Sequence, residues 1–164
     1  MNGLLIGRFQ PFHLGHLDAI NYALSKVEKL WIGIGSSNKP NQKQNPFSAD
    51  ERKEMILSSI DNSILERIKI FYIPDLENHE KWIEKIDNIV PKFDIVFSND
   101  QLTKHLYSKR KVEVCSIPFT KRNEFSGTNI RDKMRSDQPW EHLIPSGTKK
   151  ILDKINAIER LKIL

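Results

Sequence analysis

His13, His16 and Arg8 lie in one segment, Gly-Arg-Phe-Gln-Pro-Phe-His-Leu-Gly-His, which directly follows the apolar residues 4–6. The pattern predicts a short buried strand, a loop that contains glycine and proline, and a helix that begins at the second histidine. Helix N-termini bind phosphate well because they present unpaired N–H groups and partial positive charge. Two histidines three residues apart meet on one side of a helical turn, and an arginine adds a permanent cation. The segment therefore predicts a loop that holds a polyphosphate and stabilises charge moving through it.

The alternative for two histidines at this spacing is a zinc site. Such a site needs further ligands, yet Cys115 is the only cysteine and no cluster of carboxylates stands near the histidines in the sequence. The sequence therefore predicts no metal held by protein side chains here. Gly15, between the two histidines, allows the backbone to approach a ligand closely.

A second candidate segment is Phe-Ser-Gly-Thr-Asn-Ile-Arg at residues 125–131. Ser126 or Thr128 can cap a new helix whose N–H groups face a phosphate, and Arg131 then lies about one turn into that helix. The alternative is an ordinary helix cap with a solvated arginine. Because the first segment already predicts phosphate binding, the two segments together favour one shared site.

Short apolar runs alternate with helical patterns along the chain, which predicts an α/β fold with a parallel sheet covered on both faces. The strand candidates cover residues 4–6, 30–34, 68–73, 94–97 and 112–117. The helix candidates cover residues 16–27, 49–60, 80–90 and 99–107, followed by C-terminal helices over about 128–135 and 148–161. Residues 48–51, Ser-Ala-Asp-Glu, have the pattern of a capping box at the start of the second helix. The polar loop 36–46 follows the second strand, where open α/β sheets bind ligands.

Length and composition narrow the class of protein. A chain of 164 residues predicts a single domain, residues 1–164, with a substantial core. No apolar run approaches the roughly 20 residues of a membrane helix, and the N-terminal residues lack a signal-peptide pattern, so we expect a cytoplasmic protein without membrane contact. The net charge of +5 fits an anionic substrate. The basic residues are scattered and form no arginine-rich arm, which argues against nucleic acid as a partner.

Both candidate segments carry a resemblance to a known superfamily. Residues 7–16 resemble the phosphate loop of the nucleotidylyltransferases, whose core is His-x-Gly-His, and residues 125–131 resemble their second signature. The match is closer still to the archaeal-type nicotinamide mononucleotide (NMN) adenylyltransferases, which have segments similar to residues 45–52, 75–82, 93–99 and 155–160. The resemblance covers nearly the whole chain.

This resemblance implies both a fold and a reaction. The fold is a doubly wound, Rossmann-like parallel sheet with C-terminal helices, whose ligand lies at the carboxyl ends of the strands. The reaction joins ATP and NMN into NAD and pyrophosphate with Mg²⁺, which ATP phosphates hold for the most part. The family also implies a homo-oligomer, often a hexamer.

The resemblance assigns roles to individual residues. His13 and His16 contact the ATP phosphates, with His16 the more important in the transition state, while Arg8 and Arg131 grip the phosphates that leave as pyrophosphate. The full set implied for ATP is Gly7, Arg8, Phe9, His13, Gly15, His16, Ser126, Gly127, Thr128 and Arg131. The set implied for the second substrate is Trp82, which stacks on nicotinamide, together with His79, Ser98 and Asn99.

Two departures from the family pattern leave the second substrate open. Family members often carry arginine before Asp-Pro-Phe, whereas this chain has Gln44 before Asn-Pro-Phe, so that cation is missing or replaced by Lys43. His79 stands where the family often has an asparagine near the nicotinamide amide. The alternatives are an adenylyltransferase for nicotinate mononucleotide, flavin mononucleotide or phosphopantetheine, and a nucleotide-binding regulator without catalysis. The intact histidines and arginines argue against the regulator.

Overall fold

The computed structural model describes residues 1–118, 121 and 123–164 and contains a five-stranded, all-parallel sheet. Its strands are β1 (Asn2–Gly7), β2 (Lys29–Ile34), β3 (Ile68–Tyr72), β4 (Ile95–Phe97) and β5 (Glu113–Cys115). Their order across the sheet is β3-β2-β1-β4-β5. The chain therefore winds one way from β1 to β3 and the other way from β4 to β5. The winding reverses between β1 and β4, which confirms the predicted doubly wound α/β sheet.

Helices cover both faces of this sheet. They are α1 (Leu14–Leu24), α2 (Ala49–Ser59), α3 (Asn62–Leu65), α4 (His79–Ile89), α5 (Gln101–Ser108), α6 (Gly127–Arg135), α7 (Ser146–Lys154) and α8 (Ala157–Ile163), with a 3₁₀ turn at Glu141–Leu143. Successive residues of β1 face opposite sides, since Leu5 packs in a cluster with Ile20 of α1 and Leu4 in a second cluster with Ile83 of α4. Burial on both sides explains the apolar runs of the inner strands β1, β2 and β4.

The largest differences from the predicted elements lie at the two ends of the chain. Helix α1 begins at Leu14, not at His16, because the side chain of His13 caps it. The helix predicted over 148–161 is wrong, since α7 and α8 are separate and Asn156 between them is left-handed with φ 52°. The short helix α3 and the 3₁₀ turn were not predicted.

The C-terminal helices hold the segment that leads into α2. Arg160 of α8 donates two hydrogen bonds to the carboxylate of Glu51, at 2.6 and 2.8 Å, and a third to the carbonyl of Pro46 at 3.2 Å. Glu51 also completes the predicted capping box by accepting from the backbone N–H of Ser48 at 2.8 Å. One carboxylate thus fixes both the start of α2 and the position of α8.

Hydropathy gives no membrane-spanning element among the helices of the described residues.

Gly147 of α7 packs directly on the end of α2, where an added Cβ would meet the Ser58 carbonyl oxygen and lie 2.7 Å from the backbone nitrogen of Ser59. We expect Gly147→Ala to destabilise the protein by about 1–3 kcal/mol, because backbone cannot yield as a flexible side chain can. The melting temperature should fall by roughly 3–10 °C in calorimetry. Gly35→Ala is the control, since its added Cβ would have no neighbour closer than 3.5 Å. Equal melting temperatures for the two variants would contradict this packing.

Candidate active site

His13 and His16 form a capping box at the start of α1. The Nδ1 of His13 accepts from the backbone N–H of His16 at 3.3 Å, and the Nδ1 of His16 accepts from the backbone N–H of His13 at 3.1 Å. The two rings stack with centroids 3.6 Å apart. Because both Nδ1 atoms accept, each neutral ring carries its proton on Nε2. No hydrogen bond within the described residues uses either Nε2–H group, so both are available to a ligand.

The surroundings keep both imidazoles neutral. Burial lowers the pKa of His13 to about 4. Burial lowers the pKa of His16 well below its usual value, and the neighbouring His13 lowers it further. Phe9 and Phe12 enclose the His16 ring, with centroids 4.7 and 5.7 Å away. The pair therefore presents two neutral N–H donors, and an arriving anion would favour protonation.

Gly15 permits this stacked geometry. A Cβ at this position would lie 2.9 Å from Cε1 of His13 and 3.1 Å from Cβ of Phe125. Both distances are shorter than ordinary carbon contacts, so a larger residue would displace the ring or the adjoining segment. Gly15 therefore permits the close packing of the His13 ring against the start of α1.

Arg131 lies on α6 with only 5% of its surface exposed, so the alternative of a solvated arginine is wrong. Its Nη1 donates to the carbonyl of Gln10 at 2.6 Å and its Nη2 to the hydroxyl of Thr128 at 3.4 Å, while its Nε has no partner among the described residues. Burial, and next the positive charge of Arg8, lower the pKa of Arg131 to about 10. Within the described residues neither arginine forms a salt bridge. Two neighbouring cations that form no ion pair among the described residues favour an anionic ligand.

The start of α6 is built around Arg131. Ser126 is the N-cap, because its hydroxyl accepts from the backbone N–H of Asn129 at 3.1 Å, whereas Thr128 contacts Arg131. Gly127 leaves room for the guanidinium, since a Cβ there would lie 2.7 Å from Nη1 of Arg131 and 3.0 Å from the carbonyl oxygen of Gln10. The second sequence segment therefore positions an arginine as well as a helix N-terminus.

Two cavities meet at the carboxyl ends of β1 and β4. The histidine cavity, of about 330 Å³, is lined by both histidines. The tryptophan cavity, of about 310 Å³, is lined by Trp82 and Arg8. Both include the shared wall Ile6, Gly7, Phe97, Ser98 and Asp100. This arrangement can hold two ligands whose reacting groups meet at the shared wall.

The structure brings most of the predicted site residues to these cavities. The histidine cavity includes Gly7, Phe9, His13, Gly15, His16, Ser98, Asn99 and Ser126. The tryptophan cavity includes Gly7, Arg8, Trp82 and Ser98. Gly127, Thr128 and Arg131 stand beside Ser126 on α6.

Two of the residues predicted for the second substrate are placed differently from the rest. The amide of Asn99 pairs with the backbone of Ile117, donating to its carbonyl at 2.7 Å and accepting from its N–H at 2.8 Å. Its polar groups therefore join the segments that follow β4 and β5. His79 is exposed at the first position of α4 and lines neither cavity. Lys43 is also exposed, and its carbonyl accepts from Arg135 at 2.7 Å.

Sequence reasoning missed Asp75 and Asp100, two carboxylates of the tryptophan cavity. Asp75 accepts from the hydroxyl of Ser36 at 2.8 Å and lies 3.8 Å from Nζ of Lys39. The available signal was position, because Asp75 follows β3 just as Ser36 follows the adjacent β2. Within the described residues no group of three or more His, Cys, Asp or Glu side chains is arranged to hold a metal ion.

Comparisons with known proteins identify the family of this chain. A family model described as cytidylyltransferase-like matches residues 4–133. A nicotinamide-nucleotide adenylyltransferase from Thermococcus sibiricus is 39% identical over 166 residues, covering 100% of this chain and 89% of that protein. Another, from Thermoplasma acidophilum, is 38% identical over 160 residues, covering 98% of this chain and 89% of that protein. The chain belongs to the nicotinamide-nucleotide adenylyltransferase family. The family predicted from the sequence is confirmed, and with it the class of enzyme.

A solved structure supports the fold of this adenylyltransferase family. It is a bifunctional NMN adenylyltransferase/ADP ribose pyrophosphatase from Francisella tularensis, complexed with AMP and a manganese ion. The two chains share 22% identity with a TM-score of 0.79. The match covers 99% of this chain and 52% of that one, so this chain spans about half of the bifunctional protein. The Rossmann-like fold expected for the family is therefore confirmed.

The neutral, buried histidines make the stability of this adenylyltransferase depend on pH. Between the ordinary pKa of 6.5 and the lowered pKa of about 4, the unfolded chain binds a proton at His13 that the folded chain does not. The free energy of unfolding should therefore fall as pH falls through this window. His13→Asn, which keeps an N-cap acceptor, should flatten the decrease in urea unfolding curves measured from pH 7 to pH 4.

The control for this measurement is His105→Asn, which replaces an exposed histidine on α5. Carboxylates with lowered pKa values, such as Glu51, contribute equally to the pH dependence of unfolding in the unsubstituted protein and in both variants. A pH dependence that is the same in His13→Asn as in the unsubstituted protein would contradict the neutral imidazole pair.

Proposed function

We propose that this chain transfers the adenylyl group of ATP to NMN, forming NAD and pyrophosphate in NAD biosynthesis. The observation that carries the proposal is the pair of cavities sharing one wall, beside which lie neutral histidine donors and two arginines that form no salt bridge among the described residues. Joining two nucleotides requires two adjacent sites and strong phosphate binding between them. The names of relatives that match almost the full chain support the same reaction.

ATP occupies the histidine cavity in this proposal. The Nε2–H groups of His13 and His16 donate to its phosphates, since their Nδ1 atoms are already engaged by backbone. Arg8 and Arg131 hold the β- and γ-phosphates and the departing pyrophosphate. Backbone and hydroxyl donors at Ser126, Gly127 and Thr128 add to this phosphate site. Gly7, Phe9 and Gly15 shape the loop that carries the histidines.

NMN occupies the tryptophan cavity, where Trp82 stacks on the nicotinamide ring. Asp75 and Asp100 line the same cavity, and their negative charges disfavour the carboxylate of nicotinate relative to a neutral amide. His79 precedes Trp82 by three residues and so shares its side of α4, from which we propose that it contacts the amide. Ser98 contacts the ligands at the shared wall, and Asn99 contacts them from the histidine cavity.

The reaction then needs no protein nucleophile. An oxygen of the NMN 5′-phosphate attacks the α-phosphorus of ATP in line, and the bond from that phosphorus to the pyrophosphate oxygen breaks. The protein aligns two anions that repel each other and stabilises the charge that spreads to the leaving pyrophosphate. Arg8 and Arg131 supply fixed positive charge for this, and the two histidines supply oriented donors.

The family and the manganese ion of the solved relative suggest a divalent metal, and we propose Mg²⁺. The donors around the phosphates are imidazole Nε2–H and guanidinium groups, which suit phosphate oxygens, since the Nδ1 atoms of both histidines are engaged by backbone N–H groups. Mg²⁺ therefore fits as an ion that ATP brings with it, bound by phosphate oxygens and water. When bound, it neutralises part of the phosphate charge.

We further propose that residues 1–164 act as one nucleotidylyltransferase domain in the cytoplasm. The proposed assembly is a homo-oligomer, a hexamer by resemblance to the family. Its partners are the two nucleotides, without nucleic acid or membrane.

A second candidate is adenylyl transfer to another phosphate acceptor: nicotinate mononucleotide, flavin mononucleotide or phosphopantetheine. The observations that favour it are Gln44 in place of the family arginine and the exposed His79 outside the cavity. Both residues bear on which acceptor binds, and neither lines the histidine cavity proposed for ATP. A regulator that binds nucleotide without catalysis is a third, weaker candidate.

The proposal predicts NAD from ATP, Mg²⁺ and NMN, and little product from the other three acceptors. Purified protein is incubated with one acceptor at a time, NAD is measured by its reduction with an alcohol dehydrogenase, and pyrophosphate by a general assay. His16→Ala should lower kcat roughly 10²–10³-fold, as for the loss of one oriented donor in a phosphate site.

His105→Ala is the control for this experiment and should keep the full rate. Circular dichroism verifies that both variants fold. Pyrophosphate release with a different acceptor would keep the mechanism and replace NMN. An unchanged rate in His16→Ala would overturn the proposed site, and ATP binding without any product would favour the regulator.

Trp82 provides a separate test of the tryptophan cavity. Trp82→Ala should raise KM for NMN roughly tenfold or more while KM for ATP changes little, because stacking on a base contributes about 1–3 kcal/mol. Trp82→Phe retains a ring and should lose less. Equal effects on the two KM values would show that Trp82 does not separate the two sites.

A further inference from the structure

Arg52 of α2 is a fully buried guanidinium that faces backbone carbonyls. Its Nη1 donates to the carbonyls of Arg8 and Gly35 at 2.8 and 2.7 Å, and its Nη2 to that of Ser36 at 3.4 Å. Its Nε donates to the carbonyl of Ser48 at 3.1 Å. Within the described residues Arg52 forms no salt bridge. Burying a charge in this way is costly, so its bonds to the segments after β1 and β2 need a reason.

Two of these carbonyls precede residues with left-handed backbone. Phe9 follows Arg8 and has φ 52°, and Ser36 follows Gly35 and has φ 50°. This conformation is unusual for residues other than glycine, above all for a bulky one, and persists only where the surroundings impose it. Arg52 supplies such a constraint, since one guanidinium nitrogen binds both carbonyls.

Peptide geometry then fixes the direction of two N–H groups. The carbonyl and the N–H of a trans peptide point in opposite directions. Because the carbonyls of Arg8 and Gly35 point at Arg52, the N–H groups of Phe9 and Ser36 point away from it. Among the described residues neither N–H donates to a protein acceptor. Phe9 lines the histidine cavity and Ser36 the tryptophan cavity.

We propose that Arg52 is a positioning residue that turns the Arg8–Phe9 and Gly35–Ser36 peptides so that their N–H groups donate to the phosphates of the two nucleotides. This inference rests on the proposed function and extends it to one donor on each side of the shared wall. Arg52 does not touch substrate. It acts through the two peptides and also holds the backbone that carries Arg8.

Arg67 is a matched control within the same chain. Its guanidinium also donates to three backbone carbonyls, those of Leu24, Val27 and Glu28, at 2.7, 2.8 and 2.9 Å. These carbonyls lie between α1 and β2, at the amino ends of the strands and therefore opposite the cavities. A substitution at Arg67 removes the same kind of bonds without reaching the site.

The test compares Arg52→Lys with Arg67→Lys. Lysine keeps the charge but has no planar fork to hold two peptides together. We expect Arg52→Lys to lower kcat for NAD formation roughly 10²-fold and to weaken the binding of inorganic pyrophosphate in calorimetry. Arg67→Lys should keep kcat and pyrophosphate affinity within about twofold, because no phosphate donor depends on it. Melting temperatures of both variants show how much stability each substitution removes.

The inference is overturned if Arg52→Lys retains kcat and pyrophosphate affinity. It is equally overturned if Arg67→Lys lowers kcat and pyrophosphate affinity as much as Arg52→Lys does, at an equal fall in melting temperature. Arg52→Gln replaces Arg52→Lys if the lysine variant does not fold, and is judged by the same two results. The unsubstituted protein is assayed first, so that absence of NAD formation contradicts the proposed function and leaves the pyrophosphate measurement to decide the role of Arg52.

Discussion

The reversal of winding between β1 and β4 is the constraint on which the rest of the structure depends. Connections leave these neighbouring strands in opposite directions, which opens a crevice at the edge where both strands end. Two cavities open on either side of this gap and share its wall. A sheet wound in one direction only would offer no such place, because each crossover would close over the strand before it. The topology of the backbone therefore places two binding sites side by side, whichever side chains line them.

Beside that gap lies the guanidinium of Arg131, which a backbone carbonyl holds in place. Gln10 links the parts: its side chain bonds the N–H and the carbonyl of Phe47 at 3.0 and 3.1 Å, and its own carbonyl accepts from Arg131. The carbonyl and hydroxyl partners of Arg131 leave its positive charge available to a ligand, whereas a carboxylate bound directly to the guanidinium would neutralise it. The free protein bears the cost of this arrangement, and a bound polyphosphate removes it. A site built in this way favours anions of high charge over neutral ligands.

Local patterns predicted the sheet, most helices and the capping box at Ser48 and Glu51, because burial and capping depend on residues close in sequence. The histidine segment was also recognisable. Its role as a helix cap was not, because histidine is not among the residues that usually cap a helix, and α1 was therefore predicted to begin too late. The break at Asn156 depends on how α7 and α8 pack on α2 and α6, which periodicity cannot reveal. Asp75 could have been found from its position after β3, whereas the role of Arg52 depends on carbonyls far from it in sequence.

The arginines of this chain divide by their partners, and the division explains their roles. Arg160 binds the carboxylate of Glu51, so its charge is neutralised and it serves the packing of α8. Arg52 is completely enclosed by carbonyls and cannot reach a ligand. Arg131 is held by the Gln10 carbonyl and has no partner for its Nε among the described residues, while Arg8 is exposed beside it. Arg131 and Arg8 can therefore meet a phosphate, and they differ in mobility. A fixed guanidinium can define where the polyphosphate lies. An exposed one can follow the charge as pyrophosphate departs, because no ion pair among the described residues holds its long side chain.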